Sequence, residues 1–428
     1  MHPHLSPHTS CSQQTFHTFT SISSSFAATM PVPMPTACDN RKRRLTRSTS
    51  YAATNGLRDQ NTRIEESTVQ ESDFKLPLTL DAVRKEMNRS YYDPSLMESV
   101  LRVLEDTGVI SSHNTKKHLA WRSLKIDMLA SLTSPNSTKD HILCYVLWMA
   151  LVYTIDDIRD RFIIDDEDSI GNHAMVQRYI EIVRDTNDDI LGLVDGDTED
   201  LPPLKHFKPN HGVVKLARYL RAKSLACLDR RAYDEYVYQL DDHLRKGVTF
   251  CTPHIFAMKA GKPFPLSIEE FEELRMKDSA GALCVFFAGG TSYGQCEDRK
   301  VLDKCLDLVT LHAALLNDIF SYEKQIYREK DRFNYVCAVQ ELRQVPFDEA
   351  AHLTVERANE CLSDHTRLSK LVDPDDQAAQ HILDTQRRWF SGHIAWVKEC
   401  GRYSSQTSPF MFLRTVKSTM DSSLCPED

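Results

Sequence analysis

Glycine is scarce in this chain, 14 in 428 residues, against an average of roughly 7%. No G-x-G-x-x-G or G-x-x-x-x-G-K-[ST] segment occurs, so the phosphate-cradling loops of dinucleotide-binding and P-loop folds are excluded. None of the 12 cysteines stands in a C-x-x-C pair, which argues against a zinc site and against a disulfide framework. Several, such as Cys144 and Cys284, sit in apolar stretches, where a thiol behaves as a small hydrophobe. Their scatter favours a reducing compartment. No apolar run approaches the ~20 residues needed to cross a bilayer. The longest, Ile142 to Ile155, carries Tyr and Thr and ends in aspartates, the pattern of a buried helix. Positive charge is not in excess either: 52 Lys and Arg face 61 Asp and Glu, a net charge of −9. A nucleic-acid partner, which needs clustered positive charge, is not expected.

The first 38 residues hold no Asp, Glu, Lys or Arg and are rich in Ser, Thr, His and Pro; a basic knot, Arg41 to Arg44, follows. Such a segment buries too little apolar surface to offset its ordering entropy, so residues 1–75 are expected to be a disordered extension. It lacks the charged start and apolar stretch of a secretory signal. A cytoplasmic protein with a dispensable tail is one reading and an organelle-targeting leader the other. The next segment, 76–410, reads as helix after helix, followed by a tail over 411–428. Helix-period apolar patterns cover 79–90, 94–107, 139–160, 172–194, 212–225, 229–246, 267–288, 298–328, 346–370 and 375–401. Pro265 and then Ser267-Ile268-Glu269-Glu270 make a capping box at one helix start. Strand signals are nearly absent, and the fold class expected is one all-α domain.

Two polar clusters interrupt the apolar pattern. The helix at 139–160 ends in Asp156-Asp157-Ile158-Arg159-Asp160, with Asp156 and Asp160 four apart and so on one face. That face continues the apolar stripe through Val152, Met149 and Trp148. Unpaired carboxylates desolvate poorly, and a hard cation such as Mg²⁺ repairs this; a solvated helix end is the plain alternative. Helix 298–328 contains Asn317-Asp318-Ile319-Phe320-Ser321-Tyr322-Glu323-Lys324-Gln325. Asn317, Ser321 and Gln325 recur at intervals of four, an oxygen-bearing stripe that suits Mg²⁺ or, alternatively, a polar face on which Asn is tolerated.

Asp156-Asp157-x-x-Asp160 and Asn317-Asp318-x-x-Ser321-x-x-x-Gln325, about 160 residues apart in an all-helical chain, resemble the two metal motifs of microbial class I terpene synthases. The trichodiene-synthase-like fungal branch of sesquiterpene cyclases is nearest, with the similar synthases of non-seed plants as the alternative. The resemblance covers about residues 80–410. Arg275, 42 residues before Asn317, stands like the family's diphosphate-sensing arginine, with Asp278 and Gly281 like the linker and effector positions at a helix break. Trp396-x-x-x-x-x-Arg402-Tyr403 resembles the family's Arg-Tyr diphosphate contact. One departure is plain: the second motif normally ends in Glu, and this chain has Gln325, a neutral and weaker ligand.

The resemblance implies three Mg²⁺ ions, with Mn²⁺ as substitute, held by Asp156, Asp157 and Asp160 on one side and Asn317, Ser321 and Gln325 on the other. It implies that Arg275, Lys324, Arg402 and Tyr403 bind the diphosphate of a prenyl diphosphate, with farnesyl diphosphate expected. It further implies Mg²⁺-dependent ionisation and cyclisation to a sesquiterpene in a monomer or homodimer. Trp148, Val152, Phe286, Phe287, Tyr293 and Trp396 are candidate cavity walls, each weighed against ordinary core packing. Gly281, Gly289 and Gly290 either turn carbonyls toward the cavity or serve close packing. Two rival readings remain. A chain-elongating prenyl-diphosphate synthase would carry two Asp-rich motifs rather than one. The other is a helical scaffold that has lost activity with its glutamate.

Overall fold

The structure, a computed structural model, describes residues 65–87, 94–164, 173–195, 211–259, 262–264, 266–290, 292–296, 299–403, 405 and 407–414. The described residues belong to one unit that begins at Arg63; the predicted extension up to residue 64, with its basic knot, lies outside them. Among the described residues there is no strand beyond one isolated bridge, Ser67 to Phe410. Helices α1 to α5 are Leu80–Glu86, Pro94–Thr107, Thr115–Leu124, Ile126–Thr133 and Lys139–Ile164. Helices α6 to α9 are His173–Asp195, Gly212–Cys227, Arg230–Asp242 and Phe250–Lys259, and α10 to α12 are Ile268–Asp278, Gly281–Gly289 and Ser292–Gln295. Helices α13 to α17 are Lys300–Phe320, Tyr335–Arg343, Phe347–Ser369, Gln377–Val397 and Met411–Arg414.

The periodic segments fold as expected, with local differences that have physical causes. The predicted helix 267–288 is two helices, because Ala280 adopts a left-handed conformation with φ 54° between α10 and α11. The capping box at its start forms: Ser267 Oγ accepts from the Glu270 N–H, and Glu270 Oε2 accepts from the Ser267 N–H at 2.8 Å. The predicted helix 298–328 is α13 followed by a π-helical turn, Glu323–Arg328. A second π turn, His243–Thr249, links α8 to α9. Pro253 lies inside α9 and has no N–H to donate, and the helix widens just ahead of it. Gly247 in that turn meets α10 so closely that a Cβ would fall 2.3 Å from the Lys277 carbonyl oxygen. Only glycine fits there.

Helix α13 runs through the middle of the core: Leu302, Leu306, Val309, Leu315, Leu316 and Ile319 are buried. It packs against α15, α16 and α11, and α5 packs against α7 and α4. Residues 65–75, predicted to belong to the disordered extension, instead dock on this unit. Val69 and Phe74 are buried, Ser67 Oγ and Thr68 Oγ1 each donate to Asp348 at 2.9 Å, and Asn359 accepts from the Lys75 N–H. The predicted C-terminal tail likewise begins too early at 411, since Leu413 is buried in α17. No helix among the described residues is long and apolar enough to cross a membrane.

Candidate active site

Four elements bring polar side chains to one cavity of about 160 Å³ with both polar and apolar walls: α5, the α10–α11 break, the end of α13 with its π turn, and the loop after α16. The break exists because α10 ends in Asp278 and Ala280 turns left-handed, at a cost of roughly 1–2 kcal/mol for a residue with a Cβ. Gly281, the predicted effector position, opens α11 and lines the cavity.

Arg275, in the last turn of α10, is 5% exposed and holds the site together. Its Nε donates to both Asp318 carboxylate oxygens, at 3.0 and 3.2 Å. Its Nη2 donates to Asp318 Oδ1 at 2.7 Å and to Asn317 Oδ1 at 3.2 Å. Its Nη1 reaches Asp278 Oδ2 at 2.9 Å. Burial works against the guanidinium charge, but Asp318 and Asp278 outweigh it and hold the group's pKa above its ordinary value. Asp318 also accepts the Tyr335 N–H at 2.8 Å. It is an anchoring carboxylate and does not line the cavity.

The oxygen stripe of the second motif survives the change of helix type. Ser321 caps α13 and the Gln325 N–H still donates to the Ser321 carbonyl at 2.8 Å. The Ser321 hydroxyl lies 2.8 Å from Gln325 Oε1 and 3.4 Å from Asn317 Oδ1. Asn334 Nδ2 donates to Gln325 Oε1 at 2.8 Å, which orients that carbonyl. Asn317 Nδ2 donates to the Tyr403 hydroxyl at 2.9 Å, joining α13 to the loop after α16. Lys324 lines the cavity but is paired with Glu329 at 2.8 Å, and Glu329 and Asp331 line the same wall.

On the facing side Asp156 lines the cavity, whereas Asp157 is exposed and not part of the wall. The side chain of Asp160 lies outside the described residues. Arg402 sits 5.3 Å from the centre of the Tyr153 ring. Burial opposes its charge, and Tyr403, Tyr153, Asp156 and Asp157 together raise its pKa. Tyr403 is buried, and that burial pushes its phenol up to about 12. Among the described residues no group of three His, Cys, Asp or Glu side chains could hold a metal ion. The oxygens of Asn317, Ser321 and Gln325 cluster with one another, and Asn317, Gln325 and the Asp156 carboxylate line the cavity, whereas Ser321 does not. An all-oxygen set of this kind fits a hard divalent cation that keeps water and phosphate oxygens as its other ligands.

The predicted cavity walls are only partly right. Val152 and Trp396 line the cavity. Trp148 and Phe287 line a small apolar recess that shares Met149, Val152 and Cys284 with it. Trp148 also donates its Nε1–H to Ser224. Phe286 and Tyr293 are core residues instead, with ring centres 4.3 Å apart. Gly289 and Gly290 serve close packing: a Cβ would meet the Tyr293 ring at 2.5 Å and the His141 ring at 2.9 Å. Sequence reasoning missed Tyr153, Trp389 and His393, which line the cavity. Trp389 and His393 follow the same apolar helical stripe as core residues, so no spacing signal set them apart.

Residues 256–364 match the family described as terpene synthase family 2, C-terminal metal binding, a segment that contains Arg275 and the whole second motif. The chain is 22% identical over 362 residues to terpene synthase 1 of Dictyostelium purpureum, covering 81% of this chain and 86% of that protein. It is 21% identical over 366 residues to terpene synthase 6 of Dictyostelium discoideum, with 81% and 91% covered. The fold is similar to that of 2-methylisoborneol synthase from Streptomyces coelicolor A3(2), with a TM-score of 0.55 and 14% identity over 77% of this chain and 95% of that one. The same synthase has been seen in complex with Mg²⁺ and 2-fluoroneryl diphosphate, again with a TM-score of 0.55, over 73% and 94% of the two chains. These similarities do not single out the trichodiene-synthase branch.

Proposed function

We infer that this chain, a microbial-type class I terpene synthase by family, ionises and cyclises farnesyl diphosphate to a sesquiterpene in the cavity between α5, α11, α13 and α16. The observation that carries the reading is the polar rim: Arg275, Asn317 and Tyr403 form one hydrogen-bonded chain at the mouth of a cavity lined below by Leu129, Met149, Val152 and Trp396. A phosphate-bearing head and an apolar tail call for that division. The C15 chain length rests on the resemblance to sesquiterpene cyclases.

Asp156, with Asp157 and Asp160, and Asn317, Ser321 and Gln325 would hold Mg²⁺, which when bound neutralises the departing diphosphate as a Lewis acid. The protein's own groups do the rest. Arg275 and Arg402 donate charge-assisted hydrogen bonds to the diphosphate oxygens, joined by the Tyr403 hydroxyl. Arg275 is held ready by Asp318 and Asp278, so little reorganisation accompanies the build-up of charge on the leaving group. The apolar walls keep water from the allylic cation once the C–O bond has broken, and aromatic faces such as Trp396 stabilise it.

Incubation of the purified chain with C10, C15 and C20 prenyl diphosphates and Mg²⁺, followed by gas chromatography–mass spectrometry, tests this. A cyclic C15 hydrocarbon that disappears in Asp156→Ala supports the reading. A folded protein that releases no diphosphate from any of the three substrates overturns it in favour of a scaffold that has lost activity.

A further inference from the structure

The cavity wall contains one residue whose chemistry the ionisation step does not use. His393 lies on α16, lines the cavity and is 5% exposed. Its ring stacks on Trp396, with centres 5.6 Å apart and planes at 21°, and lies 6.0 Å from the Trp389 ring. Its Nδ1 is buried with no hydrogen-bond partner. A buried histidine normally has one nitrogen fixed by a partner, which sets the tautomer. Here none fixes it, and an unsatisfied buried nitrogen of this kind costs stability, so its retention calls for a reason.

Three other polar groups of the described wall are differently placed. Arg275 is engaged with Asp278, and Lys324 with Glu329. Burial pushes the Cys284 thiol up to about 12, so it stays a neutral thiol with little capacity to accept a proton. Among the described lining residues His393 is the one imidazole, flanked by the aromatic faces that would hold a cation beside it.

We propose that His393 is the proton acceptor that ends the carbocation reaction, and thereby fixes which alkene is released. The proposal rests on the cyclase reading above. In the step, a C–H bond on the carbon next to the cationic centre breaks. Its electron pair becomes the second bond of a C=C, which quenches the cation, and the proton bonds to a ring nitrogen of His393. The imidazolium hands that proton to solvent when product leaves and the cavity opens to water. Burial pushes the His393 pKa down to about 4, so the ring enters the reaction neutral, with a lone pair available. Weak basicity is no obstacle, because a proton next to a carbocation is far more acidic than any imidazolium. The new charge falls between Trp389 and Trp396, whose faces favour it.

The test uses the full chain with farnesyl diphosphate and Mg²⁺, comparing wild type with His393→Phe and His393→Gln. Diphosphate release and volatile products are measured together, with a thermal melt for each variant. The expected result is that the share of the main wild-type hydrocarbon, per diphosphate released, falls at least tenfold in both variants. Other double-bond isomers or water-quenched alcohols would replace it. A share within twofold of wild type in either folded variant overturns the proposal: unchanged in Phe, the proton goes to diphosphate or water; retained in Gln alone, the residue acts through polarity and packing. If Phe does not fold, Gln decides alone. A wild type that releases no diphosphate is a different failure, because it removes the cyclase reading itself.

Discussion

Arg275 and Asp318, 43 residues apart, form a buried pair in which three N–H···O contacts of 2.7 to 3.2 Å close on one carboxylate that is 0% exposed. The arginine proposed to bind the diphosphate is thus aimed by the residue next to Asn317. Removing the arginine should therefore cost structure as well as binding. Arg275→Ala leaves Asp318 buried without its partner, and such losses cost about 3–5 kcal/mol. Urea unfolding should show a drop of that size. Arg275→Lys, which keeps the charge but loses the fork, should fall between the two while still losing most of its activity.

Gln325 supplies a neutral oxygen where the resembling family has a carboxylate. Gln325→Glu should tighten Mg²⁺, lowering the concentration for half-maximal activity several-fold, because a charged oxygen binds a hard cation better. Asn334 Nδ2 already donates to this position at 2.8 Å, so the new carboxylate would find a donor in place. Titration of metal against activity and against melting temperature checks the prediction; no change in either would mean that position 325 does not reach the metal.

Three buried histidines give the fold a direction on the acid side. Burial holds His312 near 3 and His365 and His393 near 4. The unfolded chain takes up these protons from about pH 6.5 downward, while the folded chain does not until pH 4 or below. The unfolded state binds more protons in that window, so stability falls as pH drops through it and levels off beneath it. Each group contributes up to about 1.4 kcal/mol per pH unit. His312→Gln, which removes one of the three, should give a shallower slope between pH 6 and pH 4 in denaturant melts.

The segment before α1 should matter to stability. Deleting residues 1–75 removes the Ser67 and Thr68 contacts to Asp348 and the buried Val69 and Phe74; deleting residues 1–64 spares them. Burying a large apolar side chain contributes about 1.5–3 kcal/mol. The longer deletion should therefore melt several degrees below the shorter one by differential scanning calorimetry, and equal melting temperatures would refute the docking role.

Much of the fold was legible because its helices are long and amphipathic, so the apolar period of α13 or α15 stands out over many turns. Helices α3 and α4 were missed because they are short and meet at Lys125, which adopts φ 47°, a conformation that no sequence period announces. Spacing was enough to bring Asn317, Ser321 and Gln325 together, since residues four apart share a helix face. It failed for the cavity wall. Phe286 and Trp396 look alike as apolar residues on buried helices, and only packing decides that one stacks on Tyr293 while the other meets the cavity. His393 was invisible for the same reason.

The contact between Asn317 and Tyr403 spans 86 residues. The rim of the pocket therefore cannot be complete while the chain is still being made, because Arg402 and Tyr403 emerge from the ribosome long after Asp156 and Asn317. A chain at that stage has α5 and α13 without the clasp that joins α13 to the loop after α16. In the proposed reaction, a chain stopped short of Arg402 and Tyr403 lacks two of the groups that would bind the diphosphate, and so would lack part of the means to start a reaction that it could not contain.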